Sequence, residues 1–533
     1  MFLESAALQA EHAPPKDELR KVIFGSSLGT IFEWYDFFVY GTLAGILGPL
    51  FFSKTLGDTG AFLASLATYG AGLVLRPFGS LLFGRLGDVV GRKHTFLITI
   101  VLMGVSTAGV GFLPTYETAG VAATVLLVLL RCLQGLALGG EYGGAATYVA
   151  EHVGHGRRGL ATGWIQICAT MGFFLSLIVV LTTQSAVGDD FKTWGWRVPF
   201  ILSLLLLAVS VYIRMQLSES PVFVSMKAEG RVSRNPIIES FARKDNLKFV
   251  LLSLFGAVAG AGVVWYTGQF YALIFLQKVL KVELSTAYIL MSVALACSVP
   301  FFVVCGALSD RIGRKPVILA GLLLAALTYI PLFHALTHYV NPALETAMAK
   351  APVTIASNEC ATRFFSGPQN DCERVKDFLV SNGITHSVVA GGPLAATTTS
   401  VGTVQVPGFD AGQLKAALVA AGYPERADPD AINKPMAVLI LFILVFYVCL
   451  AYGPIAAYLV ELFPARIRYT SMSMPYHLGT GYFGGFMLYF ATLIAAETGN
   501  IFDGLWYSII IAVMSFVIGL LLLPETKDRD ITQ

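Results

Sequence analysis

Glu33 and Asp36 sit three positions apart inside one long apolar stretch, and Arg131 sits inside another. Three residues is close to one helical turn, so the two carboxylates share a helix face. Ionisable groups at membrane depth are costly and mark ion, proton or substrate paths. At ~1.5 Å per residue, Glu33 and Asp36 lie about 18–22 Å in from Lys21, near or just past the midplane of a ~30 Å hydrocarbon layer. Counted from Ala119, Arg131 lands about 18 Å deep. An acid and an arginine at matching depth can pair, and when the pair opens in dry surroundings the acid can accept a proton. That is the chemistry of proton coupling, with Asp36 the first choice. The plainer reading is an ion pair that only orients two helices, and for Glu33 a hydrogen bond in the bundle or help in holding a cation.

Arg76, followed by Pro77, lies about two-thirds of the way along another stretch, where its guanidinium could clamp a carboxylate through two parallel bonds. Pairing with Glu141, deep in the stretch that holds Arg131, explains it equally well. Gln166, Tyr266, Gln269, Tyr271, Tyr452 and Tyr476 complete the polar groups at comparable positions. Most membrane tyrosines are anchors or packing groups. His477 reads as a hydrogen-bonding histidine near the surface. Two arginines favour an organic acid as ligand over a zwitterion.

The elements that must hold these groups are apolar helices. Of 533 residues, 55% are hydrophobic and 13% charged, about half the charge of a soluble chain. A net charge of +2 argues against a nucleic-acid partner. Twelve stretches are long enough to cross a bilayer: roughly 22–50, 62–83, 95–113, 118–149, 160–184, 197–216, 248–276, 286–308, 316–338, 435–460, 469–496 and 503–523. No short apolar core with a cleavage site precedes the first, which then serves as the insertion signal. With the N-terminus inside, 21 Lys and Arg fall in inner segments and 5 in short outer loops, which places both termini in the cytoplasm.

One charged turn is written twice: "GRLGDVVGRK" at 84–93 and "GALSDRIGRK" at 306–315, 222 positions apart. Glycines permit a tight turn, and Asp88 with Arg92, or Asp310 with Arg314, can bond across helix ends. Glu151, followed by Arg157, and Glu461, followed by Arg466, form a second repeat, with 310 positions from one glutamate to the other. The set Gly84, Asp88, Gly91, Arg92, Glu151, Arg157 and its counterpart Gly306, Asp310, Gly313, Arg314, Glu461, Arg466 reads as a cytoplasmic gate. Solvated positive-inside loops are the alternative. The difference between the two intervals marks an insertion, and the hydrophilic run 340–432 supplies it. The organisation is therefore 1–216, six helices; 217–247, a cytoplasmic linker; 248–339, helices seven to nine; 340–432, an outer insertion; and 433–533, helices ten to twelve. Within the insertion, 353–357 and 386–390 read as strands and 372–383 and 410–424 as helices, the second capped by Asp410. Cys360 and Cys372 are a candidate disulfide in an oxidising outer compartment. The remaining cysteines are packing residues, and no spacing suggests a metal or cofactor site.

Two parallel six-helix halves are the layout of major facilitator transporters, and the repeated turn resembles that superfamily's signature loop. More narrowly, "EWYDFFVYG" (33–41), "RPFGSLLFGRLGD" (76–88), "RCLQGLALGGEYGGAATYVAE" (131–151), "WGWRVPFILS" (194–203) and "ELFPARIRYTSMS" (461–473) resemble the metabolite:proton symporter family. The resemblance implies an all-α membrane protein with a small α/β insertion, and proton-coupled uptake of a small polar metabolite by alternating access. Similar sugar porters couple through a first-helix acid and a fourth-helix arginine, at the positions of Asp36 and Arg131. Di- and tricarboxylates head the expected substrates; proline or betaine, or passive facilitation, are the alternatives. The long outer insertion departs from the family. The absence of a heptad tail after Gln533 disfavours osmosensing. No ATP-binding motif or catalytic constellation is present, so the expectation is a non-enzymatic, monomeric inner-membrane protein driven by an ion gradient.

Overall fold

A computed structural model describes residues 16–89, 92–140, 142–153, 156–215, 236–360, 367–391, 397–464, 467–527 and 529. Its first half runs through α1 (Lys16–Phe51), α2 (Gly57–Val74), α3 (Arg76–Val89), α4 (Arg92–Phe112), α5 (Val121–Leu138), α6 (Tyr142–His152), α7 (Arg158–Val187) and α8 (Arg197–Met215). The second half adds α9 (Lys244–Val279), α10 (Leu284–Ile312), α11 (Arg314–Val340), α15 (Lys434–Leu462), α16 (Arg468–Thr498) and α17 (Leu505–Leu522). Between α11 and α15 lie α12 (Pro342–Lys350), α13 (Asp371–Ser381), α14 (Ala411–Ala420) and four strands.

Nine helical runs among the described residues are long and apolar enough to cross a membrane, with shorter apolar helices at Leu97–Phe112 and Arg197–Ile213. Together with α1, they fall on the apolar stretches read from the sequence. The bundle has an apolar core and also exposes large apolar side chains on its outside, while a few charged groups are buried within it. Phe112 is 65% exposed and Leu521 72%, while Arg76, Arg131 and Arg314 are at most 1% exposed. Lipid can cover the first kind; the second must find partners inside.

Small residues let the helices approach closely enough to place those partners. A Cβ on Gly135 would collide with the Gly72 carbonyl oxygen, and one on Gly139 with that of Arg76. This contact of α5 with α2 and α3 fixes Arg76 and Arg131 relative to each other. Between α10 and α11 the chain turns through Gly313 at φ 107°, a conformation that favours glycine. Helix α7 packs along both α1 and α10, linking the two halves. Helices α9 and α16 contain π turns, at Leu254–Val258, Thr267–Tyr271, Phe275–Val279 and Gly479–Gly485; such turns often sit at functional sites.

The segment between α11 and α15 folds as an α/β unit. Strands β1 (Val353–Ala356), β2 (His386–Val389), β3 (Thr398–Val401) and β4 (Val404–Pro407) form one sheet in the order β2-β1-β3-β4. β1 and β2 pair in parallel, with α13 in the connection between them, and the other pairings are antiparallel. Asp410 accepts a bond from Gln413 N and caps α14, as read from the sequence. The β3–β4 hairpin was not foreseen: its strands are four residues each, too short for a clear alternation. A disulfide joins Cys360 to Cys372, with Cα atoms 5.3 Å apart.

Candidate functional site

Arg76, at the first position of α3, lines a narrow cleft whose cavity volume is about 20 Å³ in this closed form. Glu33 and Trp34 of α1, Tyr142 of α6, Gln166 of α7, Tyr452 of α15 and Tyr476 of α16 line it with Arg76. Both halves therefore contribute. The Arg76 guanidinium lies 5.2 Å from the Trp34 ring centre and 5.4 Å from that of Phe37, within cation–π range. Among the described residues its Nε and one terminal nitrogen have no hydrogen-bond partner, although the side chain is 1% exposed. Unused buried donors on a fork of this kind suit a carboxylate.

The opposite wall is aromatic and hydrogen-bonded. The Tyr142 and Tyr476 rings stack 3.5 Å apart at 4°, and the Tyr452 and Tyr476 hydroxyls bond to each other. Tyr142 Oη donates to Gln166 Oε1 (3.3 Å), and Gln166 Nε2 donates to the Tyr452 carbonyl (2.8 Å), crossing between the halves. Sequence reasoning missed Trp34 and Tyr142 as lining residues. Their signal was adjacency, since each follows an acid already singled out.

Several expected roles change. Arg131 and Asp36 are both buried, but no ion pair joins them among the described residues. The Arg131 guanidinium instead sits 4.8, 4.6 and 5.2 Å from the ring centres of Phe37, Tyr40 and Tyr69 and bonds Gln134. The rotation of each helix differs from the expectation, and it turns Arg131 toward rings and away from the cleft. One Asp36 oxygen, Oδ1, is buried without a partner. Tyr266 meets Tyr69 at 3.5 Å. Gln269 is fully buried with both amide atoms unpartnered, and Tyr271 packs on Phe275 and Phe333, away from the cleft. His477 is not a surface residue: it is 0% exposed, its ring nitrogens without partners among the described residues, because neighbouring helices cover the face that carries it. Glu141, Gly91 and Arg466 lie outside the described residues, as do the side chains of Asp88, Arg92 and Glu151. Gly84 lies within α3.

The cleft is shut toward both ends of the bundle. At the end where α10 meets α11 (the hinge end), Arg314 is fully buried and holds Glu461 through two bonds of 3.1 and 2.9 Å, and Asp310 at 2.6 Å. The Asp310 carboxylate accepts from Gly159 N (2.9 Å) and Leu160 N (2.8 Å), capping the first turn of α7 in the other half. Gly306 and Gly159 allow this approach, since a Cβ on either would strike the other's carbonyl. Arg157, expected in this cluster, is exposed; its neighbour Arg158 is 3% exposed and lies 3.7 Å from Glu461. Thr526 also donates to Glu461 at 2.9 Å, and Glu525 accepts from Arg314 N at 2.9 Å, so the stretch 524–527 after α17 is part of the cluster. Toward the opposite end (the insertion end), Phe38 stacks on Trp265 at 5.0 Å and Phe173 on Phe270 at 4.2 Å. Beyond them, Tyr288 donates to the Thr42 carbonyl at 2.9 Å.

Two helical halves that share one cleft can be set beside known proteins. Residues 27–349 match the Major Facilitator Superfamily, and residues 412–533 match the family described as sugar (and other) transporters. The proline/betaine transporter of Escherichia coli (strain K12) is 36% identical over 330 residues, 59% of this chain and 64% of that protein. The glycine betaine/proline/ectoine/pipecolic acid transporter OusA of Dickeya dadantii (strain 3937) is 35% identical over the same shares. The chain thus spans a little under two-thirds of the length of these relatives. In fold it is similar to the proton:xylose symporter XylE, with a TM-score of 0.65 at 17% identity over 96% of this chain and 98% of that one. Since the first match runs over more than half of its length, this chain belongs to the Major Facilitator Superfamily.

Proposed function

We propose that this protein is a secondary transporter that imports a small zwitterion of the proline/betaine class together with protons, by alternating access. The observation that carries the reading is the Arg76 cleft. One guanidinium with unused donors can hold one carboxylate, while the aromatic side chains Trp34, Tyr142 and Tyr476 and the acid Glu33 line the same cleft. Aromatic cages of this kind recognise quaternary ammonium groups. The organic-acid reading rested on two arginines facing the ligand. With Arg131 held among rings, a di- or tricarboxylate would leave charge unmatched, and the named substrates of the relatives also favour the zwitterion.

Glu33 and Asp36, buried one turn apart on α1, are the groups proposed to carry the proton. The hinge end is assigned to the cytoplasm, because the Lys and Arg of the short loops gather there. Uptake of labelled proline, glycine betaine and citrate into cells lacking their own carriers tests the reading, with and without a protonophore and beside Glu33→Gln and Asp36→Asn. Zwitterion uptake that collapses with the protonophore is expected. Citrate uptake alone would overturn the substrate class, and uptake indifferent to the protonophore and to both variants would leave a facilitator.

A further inference from the structure

The α/β segment between α11 and α15 is tied to the bundle unevenly. Its two stems are adjacent, with Asn433 N donating to the Tyr339 carbonyl at 2.9 Å. Toward the second half it makes a series of bonds: Asn341 Nδ2 to the Leu280 carbonyl (3.0 Å), Lys281 Nζ to the Pro424 carbonyl (3.0 Å), Lys376 Nζ to the Glu497 carbonyl (3.2 Å), and His386 N to the Gly499 carbonyl (2.9 Å). Toward the first half, α13 meets the first turn of α2. Asp377 Oδ1 accepts from Thr59 N (3.2 Å), and Thr59 Oγ1 donates to the Asp377 carbonyl (3.3 Å). Helix α2 has no cap of its own, since Leu56 precedes it without a side-chain bond. The fit is close: a Cβ on Gly57, which holds φ 72°, would come within 2.7 Å of Asp377 Oδ2.

This arrangement matches the one at the other end of the bundle. There, Asp310 of the second half caps α7 of the first; here, Asp377 of the second half caps α2 of the first. A carboxylate is favoured at a helix N-terminus by the unpaired N–H groups and the helix dipole. Both contacts join the halves, one at each end, and neither needs the other. If the halves rock about the cleft, the two contacts are made and broken in alternation.

We propose that the segment 340–432 is the gate of the insertion end, with Asp377 as its latch to the first half. The inference rests on alternating access, but its test does not require transport. A reporter cysteine at Gly45, on α1 between the halves, would place its Cβ 3.3 Å from Lys278 Cε, an approach that a long side chain can accommodate. In a background with the exposed Cys297 replaced by serine, the rate of reaction with a membrane-impermeant maleimide reports opening at this end without any substrate. Asp377→Ala should raise that rate about tenfold. So should excision of residues 342–431 with a short glycine-serine link, which the adjacent stems permit. Asp371→Ala, on the same helix but half-exposed, should leave it unchanged. The proposal is overturned if Asp377→Ala reacts within twofold of the parent, or if Asp371→Ala speeds reaction equally, which would mean general loosening of α13. Labelling that behaves as expected in a protein that moves no zwitterion would sink the substrate reading and leave the gate standing.

Discussion

Replacing Asp310 with alanine isolates the hinge-end closure. The carboxylate makes two bonds across the halves, 2.9 and 2.8 Å long, to N–H groups that begin α7. Bonds to a charged group contribute about 1.5–3 kcal/mol, and a carboxylate at a helix N-terminus adds up to about 2 kcal/mol in partly buried geometry. Water takes up both N–H groups when the end opens, so the net preference for the closed form comes to about 2 kcal/mol. At 1.4 kcal/mol per tenfold, that shifts the open-to-closed ratio about thirty-fold. Arg314 keeps its two bonds to Glu461 in the variant, so the cluster is not left with an orphaned buried charge. A cysteine at Ser473, which is 2% exposed and faces Gly143 of the other half, reports the opening through its rate of maleimide labelling in permeabilised membranes. Asp310→Ala should accelerate labelling between tenfold and thirty-fold, and Asp310→Asn by less, since one acceptor oxygen remains. A rate within twofold of the parent, in a variant that is still monodisperse, would refute the cap as a closure.

Three further outcomes follow from the same geometry. Arg76→Lys should raise the KM for a zwitterion at least tenfold with a smaller change in maximal rate, because an ammonium cannot present the planar fork; uptake kinetics check this. Gly135→Ala should nearly abolish the folded protein, since the added methyl has backbone at Gly72 in its path and overpacking costs about 1–3 kcal/mol even against movable side chains; the yield of monodisperse protein is the readout. His386 gives the outer segment a pH dependence. Burial, against a partial lift from the Ile384 carbonyl and helped by the Lys376 charge, holds its imidazole below the ordinary value of 6.5. The unfolded segment then takes up the proton first, so stability is flat above pH 6.5 and falls as pH drops through 6.5 toward the folded value. Protease resistance of the segment should decline between pH 7.5 and 5.5, and His386→Phe should flatten that decline.

What the sequence made legible was whatever a one-dimensional period or count determines. Apolar runs of about twenty residues gave the helices, and the offset between two repeat intervals located the insertion. Counting rise per residue put Glu33, Asp36 and Arg131 at a common depth, and all three are buried. Partners were another matter, because they depend on the rotation of each helix about its axis. Arg131 could face Asp36 or the rings of Phe37, Tyr40 and Tyr69 at the same height, and an ~100° turn decides between them. Rotation is set by close-packed glycines such as Gly72, Gly135 and Gly139, whose partners on other helices are not visible in a linear pattern. The exchange of Arg157 for Arg158 is the same error at its smallest, one residue being one such step around α7.

The latches were hidden for a related reason. A carboxylate that caps its own helix stands two or three residues before the N–H groups it serves, as Asp410 does before Gln413, and that spacing can be read. Asp310 lies 151 positions from Gly159, and Asp377 lies 318 from Thr59. α7 and α2 begin without side-chain caps of their own. An uncapped helix start is therefore informative: its N–H groups must be satisfied by water or by a distant side chain. Among the described residues, the start of α11 takes its carboxylate from Glu525 of its own half, whereas α7 and α2, at opposite ends of the bundle, take theirs from the other half. A cap supplied across a moving interface stabilises a conformation as well as a helix, which is what a gate requires.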